Sequence, residues 1–277
     1  MRLGSQLFGD TSTPEAWANE VLRGGYRSAI CPNLDGMSED IVRAYMRAAE
    51  VNDITISEVG AWSNPISTDE AVRREALALC KRRLALADTV GARCCVNIAG
   101  SRGEQWDGPH PDNFSDDTFA LIVDTVREII DAVRPTRTFF ALETMPWVYP
   151  DSADTYLALL QAIDRPAFAV HFDPVNMISS PRIFYKNGDM IRDFFAKLGP
   201  YIRNCHAKDI AIASKLTVHL DEVVPGRGAL DYRTFLRELN KLDPDTSLII
   251  EHLHSPDEGE EAARYIRSVA GELNIAL

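Results

Sequence analysis

Short apolar runs and amphipathic stretches alternate along the whole chain, and the apolar runs number eight. The runs are bounded by turn residues, which is typical of β-strands. We predict strands over residues 2–8, 26–31, 55–61, 93–99, 138–144, 167–173, 202–208 and 247–253. A strand followed by a helix and a further strand predicts parallel pairing through right-handed crossovers.

The stretches between the strands carry recognisable helix boundaries. Thr13-Pro14 and Ser38-Glu39 each place a capping residue before a helical first turn, and Gly91 ends a long helix over residues 67–89. The other helices are predicted over residues 117–133, 152–163, 189–198, 231–242 and 256–272. Each predicted strand is therefore followed by one helix.

Eight such pairs either close into a barrel or spread as a doubly wound sheet. After the first strand, Phe8-Gly9-Asp10 has one glycine where a dinucleotide-binding fold has three. No repeat or linker divides the 277 residues. We therefore predict an α/β fold, a (β/α)8 barrel, as a single domain over residues 1–277. The long loops 101–115 and 209–230 should cover its C-terminal face, where barrel active sites are built.

Composition narrows the function. A formal charge of -12 argues against nucleic acid as a partner, because phosphate binding needs Lys and Arg. No stretch resembles a membrane span, and residues 1–9 lack the features of a secretory signal, so we expect a cytoplasmic protein without a membrane partner. The five cysteines show no CxxC spacing and are interpreted as small buried hydrophobic residues.

Each of the last four strands ends in a side chain able to bind a metal. Glu143, Asp173, His206 and Glu251 follow apolar runs and should converge at the mouth of the barrel. Burying three carboxylates together without a cation costs several kcal/mol or more, so we predict one divalent metal ion. Three oxygen donors and one imidazole suit Mn²⁺, Mg²⁺ or Co²⁺, with Mn²⁺ favoured, and admit Zn²⁺.

At these residues the sequence resembles the xylose-isomerase-like TIM barrel superfamily of sugar and sugar-phosphate isomerases and epimerases. The superfamily also includes inosose dehydratase and the endonuclease IV type of DNA-repair enzyme. The resemblance is carried by the segments LETMP (142–146), HFDP (171–174), HAKD (206–209), PGRGALD (225–231) and IIE (249–251). It implies that Glu143, Asp173, His206 and Glu251 bind one catalytic metal, in agreement with the strand-end argument.

Two departures from the superfamily pattern narrow this inference. Many ketose 3-epimerases carry a His three residues after the metal-binding Asp, whereas here that position is Asn176, which cannot transfer a proton. The repair endonucleases use further histidines on strands two and three. This chain offers Cys31 and Trp62 in those regions and no histidine before His110. The nuclease branch is therefore disfavoured.

The resemblance implies that Glu143 and Glu251 act as acid and base on a sugar or keto-sugar, moving a proton next to a carbonyl through a metal-bound enediolate. Which glutamate is the base is left open. Asp173 and His206 would mainly hold the metal. The residues predicted to contact the substrate are Trp62, Asn97, Trp147, Asn176, Lys208 and Arg227. His110, His219, His252 and His254 are interpreted as loop and surface residues.

The leading hypothesis is a divalent-metal-dependent sugar isomerase or epimerase. One alternative is a keto-sugar lyase or dehydratase, which begins with the same proton abstraction and then expels a group from the next carbon. A second alternative is a barrel without catalysis that serves as a binding subunit, and the presence of all four ligands disfavours it. A small molecule is the expected partner, and assembly as a homo-oligomer is left open.

Overall fold

The computed structural model describes residues 1–277, which form a nearly closed barrel of parallel strands with helices around it. Eleven strands are present: β1 (Arg2–Ser5), β2 (Ser28–Ala29), β3 (Thr55–Ile56), β4 (Glu58–Gly60), β5 (Cys94–Asn97), β6 (Phe140–Glu143), β7 (Phe168–Phe172), β8 (Ile202–Ala207), β9 (Asp209–Ala213), β10 (His219–Val223) and β11 (Ser247–Ile250). All except β9 and β10 belong to the barrel sheet.

The barrel strands lie in the order β3-β2-β1-β11-β8-β7-β6-β5-β4. The two ends of this order, β3 and β4, are parts of one predicted strand over residues 55–61 that Ser57 interrupts. The Ser57 amide still donates to the Ala29 carbonyl at 2.8 Å, so the chain stays against β2 while it passes to β5. The sheet thus closes through this strand, and the predicted (β/α)8 barrel is confirmed.

Nine helices accompany the strands: α1 (Pro14–Arg23), α2 (Glu39–Val51), α3 (Glu70–Val90), α4 (Asp116–Val133), α5 (Ala153–Ile163), α6 (Pro181–Tyr185), α7 (Asn187–Leu198), α8 (Tyr232–Leu239) and α9 (Pro256–Glu272). Thr13 and Ser38 cap α1 and α2 as predicted, and Gly91 ends α3 with a φ of 70°. The short helix α6 was not predicted. None of the helices is both long enough and apolar enough to cross a membrane.

Tyr156 on α5 fixes the two barrel strands that lead to Glu143 and Asp173. Its buried hydroxyl lies 2.5 Å from the Leu142 carbonyl oxygen and accepts the His171 amide at 3.3 Å. These contacts join β6 and β7 through a side chain of the surrounding helix layer. The pairing of β7 with β8 shifts register at Val170 and His171, next to this contact. A side chain of α5 therefore fixes the ends of β6 and β7, where the candidate ligands Glu143 and Asp173 lie.

The two long loops leave the C-terminal ends of β5 and β8, so they lie at the same end of the barrel. The loop over residues 101–115 contains a short 3-10 helix, Pro111–Phe114. The loop over residues 209–230 contains the antiparallel hairpin of β9 and β10, which was not predicted. Both loops are therefore partly ordered by regular structure.

Candidate metal centre

Four side chains from four neighbouring strands converge at the C-terminal end of the barrel. Glu143 is the last residue of β6, His206 lies in β8, and Asp173 and Glu251 directly follow β7 and β11. His206 Nδ1 lies 2.8 Å from Glu251 Oε1, 3.3 Å from Glu143 Oε1 and 4.0 Å from Asp173 Oδ2. One potential ligand atom from each residue lies within 4.8 Å of the other three. The four predicted ligands are thus brought together.

Lys208 supplies a buried positive charge to the same cluster. Its Nζ lies 2.8 Å from Asp173 Oδ2, 2.7 Å from Glu251 Oε1 and 3.7 Å from Glu143 Oε1. Burial alone lowers the pKa of Lys208, but the surrounding carboxylates, Asp173 first, raise it well above its usual value. The ammonium group therefore stays charged, and it balances only part of the negative charge of three carboxylates.

Two carboxylate oxygens of the cluster, Asp173 Oδ2 and Glu251 Oε1, are buried and form no hydrogen bond of good geometry, although Lys208 lies close to both. Their close neighbours are the Lys208 ammonium and, for Glu251, the His206 ring, and a carboxylate oxygen can accept more than one such contact. The other Asp173 oxygen accepts the Val175 amide at 2.8 Å, which fixes the direction of Oδ2. A divalent cation among the four residues would satisfy both oxygens, so the donor set fits a metal ion.

The two glutamates of the cluster have pKa values displaced in opposite directions. Burial raises the pKa of Glu143 to about 7, against the opposing influence of His206 and Lys208. Burial also acts to raise the pKa of Glu251, but His206 and Lys208 outweigh it and the net shift is downward. For His206, burial lowers the pKa, whereas Glu251, Glu143 and Glu58 raise it well above its usual value. Metal binding must therefore displace a proton from His206.

Asp209 organises the loop that follows the cluster. Its Oδ1 accepts the Ile210 and Leu230 amides at 2.8 and 2.9 Å, and its Oδ2 accepts the Gly226 and Gly228 amides at 2.9 and 3.1 Å. A Cβ on Gly228 would lie 2.3 Å from Asp209 Oδ1 and 2.5 Å from the Ile210 carbonyl oxygen. This close approach explains why the segment over residues 225–231 needs a glycine there.

The hairpin places a further acidic side chain at the edge of the site. Glu222 on β10 lies 2.9 Å from His252 Nδ1, and its second oxygen lies 3.8 Å from Lys208 Nζ. The interpretation of His252 as a plain surface residue was therefore incomplete, because its ring, although half exposed, joins the hairpin to the strand end at Glu251. Glu222 lies in a segment predicted as a loop, and the apolar run before His252 already ends at Glu251, so strand patterning gave no signal for the contact between Glu222 and His252.

Two of the residues predicted to contact substrate adjoin the candidate ligands. Lys208 lies among the carboxylates, and Asn176 donates to Glu143 Oε1 at 3.0 Å. Trp62 and Trp147 lie in the loops after β4 and β6 at the same end of the barrel. Trp62 is 42% exposed, and Trp147 Nε1 donates to the Asp107 carbonyl at 2.6 Å, which ties it to the loop over residues 101–115.

The structure places the other two predicted contacts elsewhere. Asn97 is fully buried, and its side chain accepts the Ser63 amide and donates to the Ser63 carbonyl beside α3. Arg227 turns outward and pairs with Glu261 on α9 at 2.6 Å. The prediction that Asn97 and Arg227 contact the substrate is not supported, because both side chains are used in bonds away from the cluster.

Comparison with known proteins agrees with this architecture. The model of the family described as xylose isomerase-like TIM barrel matches residues 20–269. The chain therefore belongs to this family, as the sequence resemblance predicted. No curated protein matches the chain in sequence.

Several solved structures share the fold at low sequence identity. A xylose isomerase-like TIM barrel protein from Mycobacterium smegmatis in complex with magnesium has a TM-score of 0.68 and 18% identity, over 95% of this chain and 90% of that one. D-psicose 3-epimerase from Clostridium cellulolyticum H10 with D-tagatose has a TM-score of 0.71 and 15% identity, over 100% of both chains. The probable 3-DHS dehydratase AsbF from Bacillus anthracis has a TM-score of 0.70 and 17% identity, over 96% of this chain and 98% of that one. At these identities the similarity shows the fold.

Proposed function

We propose that this chain is a divalent-metal-dependent sugar isomerase or epimerase that moves a proton next to a carbonyl. The observation that carries the proposal is the position of two glutamates, the buried Glu143 and the partly buried Glu251, on either side of one potential metal site. Glu143 and Glu251 come from β6 and β11, which flank the strands of Asp173 and His206. Two carboxylates on opposite sides of a substrate carbon can remove a proton and return one.

The residues divide into two groups by role. Glu143, Asp173, His206 and Glu251 hold the ion, with Mn²⁺ favoured and Mg²⁺, Co²⁺ or Zn²⁺ as alternatives for this donor set. The ion supplies electrophilic stabilisation of the substrate carbonyl oxygen. One glutamate takes the proton from the carbon next to that carbonyl, and the other delivers a proton to the opposite face or to the neighbouring carbon.

Three further residues orient the substrate in this proposal. Lys208 presents a permanent positive charge to substrate oxygens, because the pKa of its ammonium is raised by the carboxylates around it. Asn176 can donate a hydrogen bond to a sugar hydroxyl from the position it holds beside Glu143. Trp62 offers an exposed aromatic face for a sugar ring.

The test is hydrogen exchange at the substrate carbon. Enzyme loaded with Mn²⁺ and incubated in D2O with a panel of ketoses and keto-sugars should introduce deuterium next to the carbonyl, and removal of the metal with a chelator should stop the exchange. An isomerase or epimerase returns a sugar whose mass is unchanged apart from the label. Absence of exchange across the panel, with hydride transfer or phosphodiester cleavage as the detectable reaction, would contradict the proposal.

A keto-sugar lyase or dehydratase is the second candidate. It is favoured by Asn176, which stands where many ketose 3-epimerases of the family have a histidine and which cannot carry a proton. The fold shared with the Bacillus anthracis dehydratase is compatible with this candidate. The same exchange experiment separates the two, because a lyase releases water or an aglycone from the labelled substrate.

A further inference from the structure

A second layer of polar side chains lies beneath the four candidate ligands, inside the barrel. Glu58 on β4 is 2% exposed, and its Oε2 lies 3.4 Å from His206 Nε2 and 3.7 Å from His171 Nδ1. The same oxygen accepts a hydrogen bond from Asn204 Nδ2. Asn204 precedes His206 by two residues on β8, so both side chains point into the barrel. Strand-end patterning did not predict any role for Glu58.

The ring of His206 connects this layer to the candidate metal centre. Its Nδ1 faces the carboxylates of the centre, with Glu251 Oε1 at 2.8 Å, whereas its Nε2 faces Glu58. A histidine that binds a metal through one nitrogen carries its proton on the other, and a partner of that second nitrogen fixes the orientation of the ring. His206 Nε2 is buried and has no hydrogen bond of good geometry, and Glu58 is the only carboxylate paired with it.

We infer that Glu58 is a positioning residue for the proposed metal centre. Its carboxylate accepts a hydrogen bond from the Nε2–H group of His206, which leaves Nδ1 unprotonated and directed at the ion. Asn204 holds the carboxylate of Glu58, and His171 packs edge-on against His206 with ring centroids 4.1 Å apart. This inference rests on the metal centre of the proposed function. It also explains why a carboxylate is kept in the barrel interior, where an unpaired charge is costly.

A second metal ion between Glu58, His171 and His206 is the competing interpretation, because the three residues offer ligand atoms within 4.8 Å of one another. That arrangement requires His206 to bind one ion through each nitrogen and to lose both ring protons. A neutral imidazole has only one nitrogen free to accept. The positioning role needs no such second deprotonation, and we therefore favour it.

The first test measures metal affinity in the absence of substrate. Mn²⁺ binding, followed by electron paramagnetic resonance, should show one ion per chain in the unchanged protein. Glu58→Gln keeps the size of the side chain and removes its charge, and it should weaken Mn²⁺ binding about 10- to 100-fold. Ser28→Ala is the matched control, because Ser28 is also a buried polar residue of the barrel strands and bonds to Ser247 instead of His206. It should stay within about twofold of the unchanged protein.

The second test observes the ring proton of His206 itself, first in the unchanged protein and then in the two variants. In protein labelled with ¹⁵N-histidine and loaded with Mg²⁺, His206 should carry its proton on Nε2, and this proton should exchange slowly with water. Glu58→Gln should speed that exchange, whereas Ser28→Ala should leave it unchanged. A general loss of stability would speed the exchange of many protons and not of the His206 Nε2 proton alone.

Four outcomes decide the inference. Weakened Mn²⁺ binding together with faster Nε2 proton exchange in Glu58→Gln supports it, even if no sugar exchange is found and the proposed function fails. Mn²⁺ affinity unchanged by Glu58→Gln, or a proton of His206 on Nδ1 in the loaded protein, overturns it. A second ion that Glu58→Gln removes would overturn it in favour of a two-metal site. No Mn²⁺ binding by the unchanged chain would overturn both this inference and the proposed function.

Discussion

Glu143 is a buried carboxylate next to two cationic side chains, and burial raises its pKa to about 7. His206, whose pKa is raised well above its usual value by the neighbouring carboxylates, also carries a proton in the metal-free protein. A ligand must lose its proton to bind a cation. Proton release therefore controls the affinity of the proposed centre, and the number of protons released changes near pH 7.

The first prediction is that Mn²⁺ binding strengthens with rising pH. Below about pH 7 both Glu143 and His206 release a proton, so the affinity should rise on the order of a hundredfold per pH unit. Above pH 7 only His206 does so, and the rise should fall to about tenfold per unit. Mn²⁺ titrations from pH 5.5 to 8.5 measure both slopes. Glu143→Gln should show the shallower slope throughout, and an affinity independent of pH would contradict the expectation.

The second prediction concerns catalysis by the two glutamates. Glu143→Gln and Glu251→Gln each keep a carbonyl oxygen near the ion but remove the group that carries the proton. We expect deuterium exchange to fall by a factor on the order of 10² to 10⁴ even where Mn²⁺ remains bound. Glu261→Gln, an exposed residue paired with Arg227, is the control and should keep full exchange. Full activity in both Gln variants with metal bound would refute the acid and base roles.

The hairpin of β9 and β10 was not predicted from the sequence. The carboxylate of Asp209 fixes the backbone where the hairpin joins the barrel. Asp209 accepts hydrogen bonds from four backbone amides, one in β9 and three in the segment that follows β10. Gly228 in that segment lies so close to β9 that a Cβ on it would be 2.5 Å from the Ile210 carbonyl oxygen. That oxygen belongs to the backbone and cannot turn aside. A side chain at residue 228 must therefore displace the loop over residues 209–230, which also contains Glu222 and holds its carboxylate near Lys208.

The third prediction follows from this contact. Gly228→Ala should raise KM several-fold and speed amide hydrogen exchange in the hairpin, while the barrel strands keep their protection. Gly271→Ala is the matched control, because no atom lies within 4 Å of the position of its Cβ near the end of α9. The control should change stability by no more than about 1 kcal/mol and leave KM unchanged. Equal KM values in both variants would show that the hairpin does not shape the site.

Elements with a strong periodic pattern could be predicted from the sequence, and those ordered by tertiary contacts could not. The caps Thr13, Ser38 and Gly91 mark helix boundaries through local bonding alone, and the structure confirms them. The interruption at Ser57 and the hairpin have no such local signal. In particular, β10 has an exposed, strongly polar sequence, HLDEV, and becomes a strand only because β9 pairs with it.

The candidate ligands were predictable because each ends an apolar run. The direction of a side chain within a strand was not, because it depends on which of the alternating positions face the barrel interior. Cys94 and Val96 pack against Ala141 in a small cluster of their own, and Asn97, with the opposite parity, faces α3. The Asn97 side chain bonds to Ser63 and not to the cluster, and the sequence does not mark which alternate residues of β5 face the barrel interior. Glu58 was missed for a related reason, since it starts a short strand segment instead of ending one.

At the scale of the whole molecule, metal binding and folding stability should be coupled. The candidate ligands come from four strands distant in the sequence, so only the folded chain brings them together. An ion that binds only the folded state stabilises it by about 2.7 kcal/mol at a hundred times its Kd. For a chain of 277 residues this corresponds to a rise in Tm of about 5 °C. Thermal unfolding with Mn²⁺ and with a chelator measures the difference.

The last prediction separates this specific effect from general attraction to an acidic protein. With a formal charge of -12, the surface can bind Mn²⁺ weakly at many places, and such binding is screened by salt. Asp173→Asn removes one ligand charge yet leaves the surface charge intact, and its Oδ1 can still accept the Val175 amide. The variant should therefore fold but lose the Mn²⁺-dependent rise in Tm. The unchanged protein should keep this rise in about 0.5 M salt, a concentration that screens the attraction between Mn²⁺ and exposed charges. An equal rise in both proteins, or one that salt abolishes, would mean that Mn²⁺ acts at the surface and not at the barrel mouth.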